Sequence, residues 1–133
     1  MEKIYQNDFE FVPPCLVHVA FRGVLDTDDL GAVFDRVSEA IAGQGYLLVQ
    51  VEWGEVEKVT PEARRLAAER LKVLPDHAIA IVGGNFGQRA IARLVLTAAQ
   101  MLTPGRTRSG FFKDNDSARA WLVSCLEDRK QAG

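Results

Sequence analysis

Apolar positions along the chain switch between a period of two and a period near 3.6, and the switches mark the elements. Phe9 and Phe11 flank Glu10, an alternation that predicts a short edge strand ended by Pro13-Pro14. Cys15 to Arg22 predicts a strand apolar on both faces. From Asp28 to about Ala42, the residues Leu30, Val33, Phe34, Val37 and Ile41 fall on one helical face, with Asp26 to Asp29 supplying a cap and an acidic first turn. Tyr46 to Trp53 alternates as a strand, and Gly54 to Val59 reads as a polar connection. Thr60-Pro61-Glu62 starts a second helix that runs to about Val73 and turns Ala63, Leu66, Ala67 and Leu71 inward.

Ala78 to Val82 is an uncharged run short enough for a strand buried on both faces. A third helix follows from about Phe86 to Leu102, with Ile91, Leu94, Val95, Ala98 and Leu102 as its inward stripe. Thr107 to Phe112 predicts the last strand. Asp114 caps a final helix whose core stripe is Ala118, Trp121, Leu122, Cys125 and Leu126, and residues from about 128 form a polar tail. The order β-β-α-β-α-β-α-β-α predicts one α/β domain over residues 1–133. Its mixed sheet has about five strands, with a parallel centre, an antiparallel first pair and four helices.

Composition narrows the class. With 47% hydrophobic and 26% charged residues, the chain resembles ordinary globular domains, and 133 residues suffice for a core without disulfides or metal. A net charge of -2 argues against nucleic acid as the main partner. The longest uncharged run, Leu94 to Pro104, is shorter than the about 20 residues a membrane span needs. The N-terminus lacks an apolar signal region and there are only two cysteines, which together imply a cytoplasmic protein with reduced thiols.

Two features of the third helix carry the candidate chemistry. At its start, Gly84, Asn85, Gln88, Arg89 and Arg93 place backbone donors and two cations where a carboxylate, phosphate or sulfate could dock. The competing reading is a tight glycine turn with solvated or paired arginines. The lysine and hydroxyl of a nucleotide P-loop are missing, and the dinucleotide glycine spacing fails. Along its body, Leu96, Ala99 and Met101 lie beyond the inward stripe, so the helix is either enclosed on several sides or meets a partner or ligand there.

Other signals are thin. Cys15 and His18 leave opposite faces of a strand, His77 is isolated, and no zinc-type spacing occurs. No serine lies in a nucleophile elbow. Glu52, Glu55 and Glu57 form an acidic stretch that reads first as solvated loop and only third as an enzyme's carboxylate pair. No metal or other cofactor is implied.

Some of these residues resemble a known family. The strand Ala80-Ile81-Val82, then Arg89-Ala90-Ile91-Ala92-Arg93, then Phe112 followed by the cap Asp114 and Ala118-x-x-Trp121-Leu122, resembles the SpoIIAA-like family. That family has a STAS-type fold related in shape to CRAL-TRIO lipid-binding domains. The resemblance implies a small binding or regulatory module without catalysis, and the apolar third helix adds the expectation that it self-associates as a homodimer. The alternative, drawn from the same helix and its arginines, is a carrier of a small anionic lipophilic ligand such as a fatty acid or phospholipid, with an apolar cavity beside the third helix and Arg89 and Arg93 at its mouth. Phosphorylatable STAS proteins carry a serine in the region matching Val51 to Thr60. This chain has none there, and its only nearby hydroxyl, Thr60, is explained as a helix cap.

Overall fold

The computed structural model describes residues 1–132. In chain order the elements are β1 (Glu2–Ile4), β2 (Asn7–Val12), β3 (Leu16–Leu25), α1 (Thr27–Ala40), β4 (Tyr46–Val59), α2 (Pro61–Val73), β5 (Asp76–Val82), α3 (Phe86–Leu102), β6 (Thr107–Phe112) and α4 (Asn115–Ala132). The six strands form one sheet in sequence order, β1-β2-β3-β4-β5-β6. β1, β2 and β3 pair antiparallel, and β3 through β6 pair parallel.

This order dictates the layers. Parallel strands that advance in one direction with right-handed crossovers must carry their crossover helices on one face. Accordingly α1, α2 and α3 share a core with Val19, Val51, Ile79 and Ile81 of the sheet. α4 follows the last strand and packs on the opposite face against Leu16, Leu48, Ala78 and Ala80. It covers β4, β5 and β6. Beyond its reach, the same face of β2 and β3 carries Asp8, Glu10, His18 and Arg22, as a half-solvated antiparallel sheet should.

Several boundaries differ from the sequence reading, and β3 itself runs on to Leu25 beyond the expected end at Arg22. The sheet has six strands rather than about five, because the three-residue β1 pairs with β2 and makes β2 internal. Glu2 and Lys3 are exposed and carry no hydrophobic signal. The supposed connection at Gly54 to Val59 continues β4 and pairs with Arg22 to Leu25 of β3. Register shifts after Ala20 and Gly23 break the alternation there, so Val56 and Val59 are buried three apart instead of two. The supposed tail from 128 is the last turn of α4.

The caps behave as expected. Asp26 and Asp29 form a reciprocal capping box on α1, Thr60 Oγ1 accepts from the Ala63 N–H at 3.1 Å, and Asp114 accepts from the Ser117 N–H at 2.8 Å. On the α4 face, the Phe112 and Trp121 rings lie 5.3 Å apart, which anchors the helix to the edge strand.

Candidate functional site

The turn between β5 and α3 is built for closure. Gly83 and Gly84 have φ of 78° and 87°, a region that suits glycine. A Cβ on Gly84 would meet Trp53 and Gln88 at 3.4 Å. Asn85 and Gln88 then form a capping box, with the Gln88 N–H donating to Asn85 Oδ1 at 2.9 Å and the Asn85 N–H donating to Gln88 Oε1 at 2.7 Å. The Gln88 amide also donates to the Val56 carbonyl at 2.6 Å and the Gly54 carbonyl at 3.1 Å. The Trp53 indole N–H donates to the Gln88 carbonyl at 2.7 Å.

Two donors offered to an anion are therefore used within the turn. Arg89 Nε donates to the Gly83 carbonyl at 3.2 Å. The Arg93 guanidinium lies 4.7 Å from the Phe111 ring centre, and that of Arg89 lies 5.9 Å from it. The structure thus brings Gly84, Asn85, Gln88 and Arg89 together as a joint between β4, β5 and α3, with Arg93 laid across β6. Sequence patterning could not reveal the role of Gln88, because its β4 partners lie more than 30 positions away.

The faces of α3 are rotated from the expected ones. Leu96 and Ala99, expected on an outer surface, are 6% and 0% exposed and belong to the core with Ala92. Leu94 and Leu102, expected inside, are 58% and 51% exposed. Met101 is 78% exposed, as the outward reading required. Leu94, Ala98, Met101 and Leu102 follow i, i+4, i+7, i+8 spacing and form an apolar outer stripe of α3. The helix carries more apolar positions than one face can hold, so its neighbours α2, β4 and β6 select which are buried.

Beneath α2 lies a cavity of about 110 Å³. Its walls come from the sheet, including Val19, Val51 and Ile79, and from all three helices of that layer. Its cause is local. α2 turns Ala63, Ala67 and Leu71 inward, and α3 turns Ala92 inward, toward β-branched strand residues. Alanine side chains leave the gap between layers unfilled. Every lining residue is apolar, and neither Arg89 nor Arg93 is among them.

The remaining candidates separate in space. Glu52 Oε2 lies 2.7 Å from His18 Nε2 on the α4 side of the sheet, whereas Glu55 and Glu57 are exposed further along β4. His77 is fully buried, with Nδ1–H donating to the Pro75 carbonyl at 2.8 Å and Nε2 accepting from Thr107 Oγ1 at 2.9 Å. Desolvation holds its pKa below the ordinary histidine value. Cys15 and Cys125 are buried free thiols whose pKa values burial pushes up, the environment of packing rather than of nucleophiles. Among the described residues, no group of three His, Cys, Asp or Glu could hold a metal ion, and no helix is long and apolar enough to cross a membrane.

No family model matches the chain, and no curated protein matches it. Among solved structures it is similar to an uncharacterized protein of the DUF3478 family with a SpoIIAA-like fold, from Shewanella loihica PV-4. The two are 20% identical, the likeness covers 92% of this chain and 98% of the other, and the TM-score is 0.61. The chain therefore has a SpoIIAA-like fold: a mixed six-stranded sheet with three helices on one face and one on the other.

Proposed function

We propose that this protein is a STAS-type regulatory module that acts by association rather than catalysis, and that it pairs with a second copy of itself through α3. The observation that carries this reading is the outer stripe of α3, where Leu94, Met101 and Leu102 stand in water while the inner face of the same helix is core. Charge favours a two-fold partner. α3 has no acidic residue, its cations Arg89 and Arg93 lie in its first half, and Leu94 to Leu102 is uncharged. The stripe therefore meets its own copy without like-charge repulsion.

An anionic lipid carrier has weaker support. Pockets for ligands of that size run to roughly 300–1,000 Å³ and bring polar groups to the head. The cavity under α2 is about 110 Å³ and its lining has no charge.

Size-exclusion chromatography with light scattering tests the proposal. The expected mass is twice that of the 14.7 kDa chain. Leu94→Glu combined with Met101→Glu should give the monomer mass with an unchanged circular dichroism spectrum. A wild-type monomer at every accessible concentration would overturn self-association.

A further inference from the structure

The cavity under α2 lies on the inner side of the helical layer, separate from the outer stripe of α3. We infer that it is a binding site for an uncharged hydrocarbon group of about six carbons, since a void of roughly 150 Å³ lined by apolar side chains stays dry and admits benzene. Three observations lead there. First, the lining is apolar throughout, with residues from the sheet, α1, α2 and α3, so water gains no hydrogen bond by entering. Second, the helices contribute small side chains to the lining, Ala67 from α2 and Ala92 from α3, where larger ones would narrow the space. Third, α2 lies over the sheet through apolar packing, with Ala63, Ala67, Leu71 and Leu74 in the shared core, so its displacement would leave the hydrogen-bonded sheet intact. The lining also sets selectivity. It offers no partner to a carboxylate or phosphate, so ionised ligands are excluded and size limits the rest.

The same chemistry is available from a free small hydrocarbon or from the end of an acyl chain, and the test separates them. The full chain with labelled methyl groups is titrated by NMR with benzene and cyclohexane, with methyl octanoate, and with octanoate. The site predicts saturable shifts confined to methyls such as those of Val33, Val51, Leu71 and Ile79. Ala67→Leu fills the void and should abolish the shifts while raising Tm. Ala92→Val serves as the second filled variant should the first fail to fold. Binding of benzene and cyclohexane alone assigns the site to a free molecule. Binding of methyl octanoate at the same methyls assigns it to an acyl end. Binding of octanoate without the neutral compounds overturns the inference. So does the absence of shifts with any neutral compound, or shifts that persist in a folded filled variant.

Discussion

The indole N–H of Trp53 donates to the main-chain carbonyl of Gln88 at 2.7 Å, tying the middle of β4 to the first turn of α3. Gln88 returns two bonds to β4 through its side chain. This pair welds the turn that the sequence offers as an anion cradle. Gln88→Ala removes one half of the capping box and leaves the Val56 and Gly54 carbonyls without that partner. Urea denaturation should show a loss of about 1–3 kcal/mol. A loss below about 0.5 kcal/mol, the usual size for a surface substitution, would show that the joint is not holding the turn.

The rotation of α3 makes opposite predictions for neighbouring leucines. Leu96→Ala enlarges the cavity from its α3 wall and should cost about 2–5 kcal/mol in chemical denaturation. Leu94→Glu lies on the exposed stripe and should change monomer stability by about 0.5 kcal/mol or less. Equal effects at the two positions would mean that the inner and outer faces are wrongly assigned.

His77 predicts a pH dependence near neutrality. Desolvation lowers its folded-state pKa, while the unfolded chain keeps a value of about 6.5. Below that value the unfolded state takes up a proton that the native state does not. Stability is therefore full above about pH 6.5 and falls as pH drops toward the folded pKa. In paired denaturation curves from pH 8 to about pH 5, His77→Gln should be less stable at pH 8 and lose less on acidification. An identical slope in both proteins would remove His77 as the cause.

Asp76 acts lower on the scale. Its carboxylate accepts from Arg106 Nε at 3.0 Å and Arg129 Nη1 at 2.9 Å. The hydrogen bond from Arg106 is the largest influence holding its pKa down. The carboxylate therefore contributes stability above the unfolded value of about 3.9, and this is lost as pH falls through the lower folded pKa. The side chain is 34% exposed, so solvent screening limits the contribution to about 1 kcal/mol or less. Asp76→Asn should lower stability at pH 7 by about that amount and flatten the acid limb below about pH 4. An unchanged acid limb would place the titration elsewhere.

The residues settle some of this architecture by themselves. The periods of β3, α1, α2, β5 and α4, together with the caps at Asp26, Thr60 and Asp114, are local matters. Each depends on residues within a turn or two, and sequence neighbours carry that information. The one-sided placement of α1, α2 and α3 is not among them, because it follows from right-handed crossovers only once the strand order of the sheet is known. The resemblance carried by Phe112, Ala118, Trp121 and Leu122 led to the same fold that the structural likeness supports.

Other features needed the tertiary structure because they depend on distant partners. β1 forms because β2 offers an edge. The second half of β4 forms because β3 runs alongside it through two register shifts. On α3 almost any rotation satisfies the pattern, and packing against α2 and the sheet put Leu96 and Ala99 inside and Leu94 outside. The cavity is the sharpest case. Ala67 reads as an ordinary inward helix position and Ala92 falls outside the expected inward stripe of α3, and only the tertiary structure brings both to one lining with Val51 and Ile79. A void is set by what several distant side chains fail to reach, and no single stretch of sequence records it.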